Sequence, residues 1–249
     1  MAVHDFKSQR LYVENSLEQG KAFDALREQA NYLLNVLRMK DGDSILVFNG
    51  KDGEWRAKVE EKGRKKCNLV PVEQIRPQPI PPRLVYCFAP LKQARLDYMV
   101  QKAVEMGVGV LQPVITQFTQ AREVKAKRLH SNAVEAAEQC GILTLPEIRE
   151  PLSIREMVTQ LDDKTYLVFC DEAQTNQNAI SLLEAKRDET MALLIGPEGG
   201  FSDEERELLA QRSNVIKLGL GPRILRADTA AVAALAILQA HAGDWYGGE

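Results

Sequence analysis

Four prolines fall within eight residues at RPQPIPPR, residues 76–83, and the spacing of apolar residues differs on its two sides. Proline fixes its own φ, lacks a backbone donor and pushes the residue before it toward extended geometry, so the stretch continues neither a helix nor a paired strand. It reads as a linker between one domain over residues 1–75 and another over residues 84–249.

Before the linker, Phe23, Leu26, Ala30, Leu33, Leu34 and Leu37 recur at helical spacing and predict a helix over residues 23–37. The period then shortens. SILVFNG, EWRAKVEE and CNLVPV are β-type runs joined by NGKDG and EKGRKK, which are rich in turn formers and suit hairpins. A small, mostly β domain of roughly 75 residues follows, within the size at which domains fold alone.

After the linker, LVYCFAP, VLQPVI, TYLVFC, MALLIG and NVIKLG are apolar runs of buried-strand type. Amphipathic segments at residues 96–106, 127–140 and 204–211 lie among them. This alternation predicts an α/β domain, a mostly parallel sheet with helices on both faces. Ligands of such sheets bind beyond the C-terminal strand ends.

Composition narrows the function classes. With 45% hydrophobic and 27% charged residues the chain is of ordinary soluble type, and its formal charge of −3 gives no global positive field, so any contact with nucleic acid depends on local patches. Cys67, Cys87, Cys140 and Cys170 form no CxxC pair, which disfavours a zinc knuckle or a disulfide framework and predicts buried free thiols in a reducing cytosol. His4, His130 and His241 have no ligand spacing, so no metal is expected. The segment MAVHDFKSQR lacks the apolar core of a signal peptide and no stretch approaches membrane-spanning length, which predicts a cytoplasmic location.

Two glycine loops follow consecutive apolar runs. In MALLIGPEGGFSDEE, residues 191–205, the sequence from Gly196 to Gly200 fits neither the dinucleotide fingerprint nor the phosphate loop. Pro197 offers no N–H and Glu198 sets a carboxylate where a phosphate would sit, so a neutral or cationic ligand suits the loop better. Ser202 and Glu205 have capping-box spacing. Spacing alone leaves open whether Gly199 and Gly200 hold a ligand or merely turn the chain into that helix.

The second loop lies in IKLGLGPRILRADTAAVAALAIL, residues 216–238, where Asp228 or Thr229 is placed to cap a helix. The run from Ala230 to Leu238 is apolar on all sides, which predicts burial. Arg223 and Arg226 beside such a helix are expected to need partners.

Taken together, LLIGPEGGFSDEE and LGPRILRADTAA resemble the paired C-terminal motifs of the SPOUT-class methyltransferases, and more narrowly the ribosomal small subunit methyltransferase E family. KQARLDYMVQKAVEMGVGVLQPVIT, residues 92–116, is similar to that family's K-x-x-x-x-[DE]-x-x-x-Q-K-x-x-E-x-G-V segment. EAAEQCGILTLPEI, residues 135–148, is similar to its E-x-x-E-Q-x-x-R-x-x-x-P segment. RLYV and NYLLNVLRMKDGD resemble its PUA-like domain, so nearly the whole chain is covered. Departures from the pattern are Ile142 for arginine, Asn31 for histidine, TQFTQ for a Ser/Arg pair, and Asp228 for glutamate.

The resemblance implies a C-terminal α/β domain threaded as a trefoil knot, a PUA-like RNA-recruiting domain before it, and a homodimer. It implies S-adenosylmethionine as cofactor and N3 of a uridine in 16S rRNA of the small ribosomal subunit as the methylated atom. Carried over by motif, the cofactor site is Gly196, Glu198, Gly199, Gly200, Leu218, Gly219, Ile224, Leu225 and Arg226, with Arg226 nearest the target base and Asp228 a candidate proton acceptor. A positively charged sulfonium without phosphates agrees with a loop that carries Glu198 and lacks lysine.

Positive surface for RNA is expected from Arg10, Arg38, Arg56, Lys58, Arg64, Lys65 and Lys66, and from a second group of Arg122, Lys125, Lys127 and Arg128. Interleaved Glu54, Glu60 and Glu61 allow the first group to be an ordinary solvated face instead. Rival readings are a SPOUT methyltransferase for another rRNA or tRNA site, a non-catalytic ribosome assembly factor, and, remotely, a nucleotide-dependent phosphotransferase.

Overall fold

The computed structural model describes residues 8–63, 65–121, 123–170 and 179–245, and its chain divides into two compact units. The first comprises Met1–Pro81 together with Val134–Leu145, and the second comprises Pro82–Ala133 with Pro146–Glu249. The grouping of Val134–Leu145 with the first unit is absent from a linear division at the prolines. Its ties are specific: Tyr12 N donates to Glu138 Oε1 at 2.8 Å, Arg76 Nη2 to the Gly141 carbonyl at 2.9 Å, and Gln78 Nε2 to the Leu143 carbonyl at 3.2 Å.

The sheet of the first unit contains β1 (Arg10–Tyr12), β2 (Phe23–Asp24), β3 (Ser44–Phe48), β4 (Glu54–Gly63) and β5 (Lys66–Arg76), in the order β1-β3-β4-β5-β2. β3, β4 and β5 form antiparallel hairpins as their turn-rich connections predict, and β1 joins β3 in parallel. Ile45, Val47, Ala57, Val59 and Leu69 turn inward at alternate positions to make the core with Leu33 of the helical segment.

That helical segment is shorter than expected. Phe23 and Asp24 pair with Leu69 and Asn68 as strand β2, and α1 (Arg27–Asn31) begins only where Gln29 Oε1 accepts from Leu26 N, continuing into a π-helical turn at Tyr32–Val36. Sheet pairing at the edge of β5 overrides the helical period at its first apolar position.

In the second unit, β6 (Val85–Phe88), β7 (Val110–Ile115), β8 (Glu147–Ile148), β9 (Leu152–Ser153), β10 (Tyr166–Cys170), β11 (Met191–Ile195) and β12 (Val215–Leu218) run parallel in the order β12-β10-β11-β6-β7-β8, with β9 also on β7. Alternate residues separate two cores. Tyr86, Phe88, Val168, Leu193 and Ile195 pack with α2 (Gln93–Glu105), α5 (Ala179–Ala185) and α7 (Ala227–Ala242), while Cys87, Phe169, Ala192 and Leu194 pack with α4 (Ile154–Gln160) and α6 (Asp203–Ala210). Leu129 of α3 (Ala126–Cys140) belongs to the first of these cores.

Three local expectations need correction. α7 buries Ala227, Ala231, Ala234, Leu235 and Leu238 but leaves Val232, Ala233 and Ile237 partly exposed, because it packs on the sheet and its neighbouring helices along one side. Its N-cap is Arg226, with no side-chain cap bond, and Asp228 lies inside the first turn with Oδ1 accepting from Thr229 N. Among the cysteines, Cys67 and Cys87 are buried and Cys170 partly so, but Cys140 ends α3 and is exposed.

Candidate functional site

The GPEGG loop begins where β11 ends at Ile195. Gly200 N donates to the Pro197 carbonyl at 2.9 Å, closing a turn that Gly200 completes at φ +69°. A Cβ on Gly196 would lie 2.6 Å from Phe201 Cε2, so the glycine lets the buried Phe201 ring cross the strand end and pack edge-to-face on Phe169, with centroids 4.9 Å apart. Ser202 and Glu205 then form the expected capping box of α6. Glu205 does more: its Oε2 accepts from Ser202 N at 2.9 Å while Oε1 accepts from Gln117 N at 2.8 Å.

This loop floors a cavity of about 220 Å³ at the C-terminal ends of β10 and β11, the position expected for a ligand of a parallel sheet. Of the nine residues expected to hold a cofactor, Gly196, Glu198, Gly199, Gly200, Ile224 and Leu225 line it. Leu218, Gly219 and Arg226 do not. Leu218 is 3% exposed and sits in the core, Gly219 is partly buried, and Arg226 is exposed, its carbonyl accepting from Ala230 N at 2.7 Å and its guanidinium without a partner among the described residues. Arg223 is likewise exposed.

Cys170, Ile195, Pro197, Phe201, Ala227 and Ala230 complete the lining, beyond the residues that the motifs single out. A strand-end position was the available signal for Cys170. Burial pushes its thiol up to about 12, so it lines the cavity as a neutral, weakly polar group. Glu198, half-exposed at the rim, is paired with Arg95 of α2 at 2.7 Å. The cavity is thus apolar on one wall, backbone-lined on its floor, and carries one partly compensated carboxylate. Such a site fits an adenosine-like group with a nearby cation and offers no cradle for a phosphate.

The expected RNA-facing cations separate into different kinds. Arg10 is corrected outright. It is 7% exposed and its Nε donates to Glu54 Oε1 at 2.8 Å, while Arg76 Nε donates to Glu54 Oε2 at 2.8 Å, so it serves a buried ion-pair network. Burial alone would raise the Glu54 carboxyl, but its bonds to Arg76 and Arg10 hold it below the ordinary glutamate range. Arg38, Lys58, Lys65, Lys66 and Lys127 are exposed, and Arg56 pairs with Glu73 at 3.0 Å. Lys125 is 3.8 Å from Glu123, and Arg128 Nε donates to Asp97 Oδ1 at 2.7 Å. Arg64 and Arg122 lie outside the described residues. Among the described residues no group of His, Cys, Asp and Glu could hold a metal ion, and no helix is long and apolar enough to cross a membrane.

A ligand cavity at parallel strand ends, built from two glycine loops and preceded in the chain by a small β unit, defines an α/β ligand-binding domain with an accessory β domain. Family models agree in both parts: an RNA methyltransferase domain matches residues 78–239 and an RNA methyltransferase PUA domain matches residues 27–72. The ribosomal RNA small subunit methyltransferase E of Rickettsia conorii is 31% identical over 232 residues, covering 92% of this chain and 94% of that protein. The protein of the same name from Bacillus subtilis is 28% identical, covering 92% and 95%. The crystal structure of the Neisseria gonorrhoeae ribosomal RNA small subunit methyltransferase E bound to S-adenosyl methionine aligns with a TM-score of 0.84 at 25% identity, over 96% of this chain and 99% of that one. A Legionella pneumophila methyltransferase with bound SAM aligns at 0.79 and 30% identity, over 94% and 98%. The chain belongs to the ribosomal RNA small subunit methyltransferase E family.

Proposed function

We propose that this protein methylates N3 of a uridine in 16S rRNA of the small ribosomal subunit, using S-adenosylmethionine. The observation that carries this reading is the cavity shared by Gly196–Gly200 with Ile224, Leu225, Ala227 and Ala230, whose make-up suits an adenosine-like ligand with a positive centre and whose two loops resemble the family's cofactor loops in sequence. Bound there, S-adenosylmethionine supplies a methyl group activated by its sulfonium.

The chain's own residues account for the rest. The backbone of residues 196–200 holds polar edges, and Ile224 and Leu225 enclose the apolar faces. Arg226, exposed and unpaired among the described residues, stabilises uracil once N3 has lost its proton. Asp228 is the candidate acceptor for that proton, through solvent or directly. Residues 1–75 recruit RNA, with Arg38, Lys58, Lys65 and Lys66 as exposed cations, and residues 84–249 carry out the transfer.

Three further features belong to this reading: a trefoil knot around β12 and α7, a homodimer that covers the half-exposed side of α7, and action in the cytoplasm on ribosomal subunits. The deciding experiment is methyl transfer to small subunits isolated from a strain lacking the enzyme, with the modified base mapped by mass spectrometry. Methylation at another atom or another RNA would move the assignment to a sister activity.

A further inference from the structure

The loop that follows β7, residues 116–120, is tethered at three residues and presents an aromatic ring to solvent. Thr116 and Thr119 are buried, Thr116 N donates to Thr119 Oγ1 at 2.9 Å, and the two hydroxyls are 2.9 Å apart. Gln117 N is held by Glu205. Between these fixed points Phe118 is 44% exposed. A single exposed apolar ring is ordinary in itself, and what singles out Phe118 is where its tethered loop holds it.

Its position gives the explanation. Phe118 Cβ and Cγ lie 3.0 and 3.4 Å from the point where a Cβ on Gly199 would stand, so the side chain rests on the backbone of the GPEGG loop at a residue that lines the cavity. Phe118 itself does not line that cavity. It therefore stands beside the rim rather than inside the cofactor space. On the other loop, Leu225 and Ala227 line the same cavity and flank Arg226, an exposed cation.

We infer that Phe118 is the stacking platform for the unstacked pyrimidine base presented to this cavity. An enzyme that acts on a ring nitrogen of a base must take that base out of its stack, and the lost stacking is replaced by an aromatic face on the protein. A single-stranded base has such a face whatever its identity, while Arg226 meets the charge that develops on the ring. The inference rests on the reading of this chain as an rRNA base methyltransferase. It assigns Phe118 a substrate-positioning role separate from cofactor binding.

The test compares Phe118→Ala, Phe118→Leu and Phe118→Trp with the wild type in two measurements: S-adenosylmethionine affinity by calorimetry, and kcat/KM for methyl transfer to small subunits from a strain lacking the enzyme. Stacking predicts unchanged cofactor affinity in all three variants, a loss of about 5- to 150-fold in kcat/KM for the alanine and leucine variants, and near wild-type values for tryptophan. Leucine performing as well as tryptophan, or alanine performing as well as the wild type, would overturn the assignment. Loss of cofactor affinity in step with activity would also overturn it, because the ring would then serve only to support Gly199. No transfer by the wild type itself removes the functional reading, and the inference with it; a wild type that transfers methyl while its variants show one of these contrary patterns removes the inference alone.

Discussion

Arg95 Nη1 stands 2.7 Å from Glu198 Oε1, joining α2 to the glycine loop at the rim of the cavity. Both side chains are more than a third exposed, so the pair adds little to stability, on the order of 0–1 kcal/mol. Its effect is on the charge that a ligand meets. Arg95→Ala exposes an uncompensated carboxylate and should shift binding toward cationic S-adenosylmethionine over neutral S-adenosylhomocysteine, whereas Glu198→Gln should shift it the other way. Calorimetric affinities for both compounds at low and high salt would check this, and a ratio indifferent to both substitutions would show that the carboxylate does not sense the sulfonium.

Arg226→Ala should leave the fold and cofactor affinity intact while lowering methyl transfer by about 10²- to 10³-fold, the usual cost of removing one electrostatic stabiliser. Asp228→Asn should do less if the residue only tightens the first turn of α7, and as much if it takes the proton. Circular dichroism, calorimetry and single-turnover rates on the two variants separate these effects.

Gly196→Ala places a methyl against the Phe201 ring, at 2.6 Å from Cε2, in a packed corner that includes Phe169. Such overpacking costs about 1–3 kcal/mol. The expected result is a lower urea midpoint together with weaker cofactor binding. A variant as stable as the wild type would mean that the ring moves aside without penalty.

Glu54 is 1% exposed and bonded to both Arg10 and Arg76, with its carboxyl held below the ordinary range. A depressed folded value means that the contribution is complete above the unfolded carboxylate pKa and is lost as pH falls through the lower folded one. Denaturation of the first unit should therefore become easier on acidification from about pH 5 downward, and Glu54→Gln should both flatten that dependence and destabilise by roughly 3–5 kcal/mol, because two guanidinium groups lose their counter-charge. Urea midpoints measured across this range give both quantities.

Burial separates Arg10 from the exposed Lys65 and Lys66. Lys65→Ala and Lys66→Ala should each weaken binding to small-subunit RNA and reduce the slope of log affinity against log salt by up to about 0.9. Arg10→Ala should lower stability and leave that slope unchanged. Equal effects on the slope would place Arg10 back among the phosphate contacts.

Much of the fold could be read from the chain because the information was local. Five apolar runs after the prolines are strands of one parallel sheet, and the Ser202/Glu205 cap is formed as its spacing demands. The two-residue strands β8 and β9 were missed because so short a segment carries no period. Phe23 was misplaced because its partner Leu69 lies on a strand far along the chain. Arg10 looked like any basic residue, since a charge count cannot show that Glu54 and Arg76 meet it beneath the surface. At the site, the glycine loops could be found by motif, but Cys170 and Ala230 acquire meaning only when three segments converge on one cavity.

The two oxygens of Glu205 hold the backbone of two separate loops, one at Ser202 and one at Gln117. One side chain therefore ties the start of α6, just after the GPEGG loop, to the segment bearing Phe118. Shortening it to aspartate would release both anchors at once, so substitutions in residues 116–119 and in residues 202–205 should combine non-additively even where they share no contact of their own. Through this shared carboxylate, a shift in either loop is felt by the other.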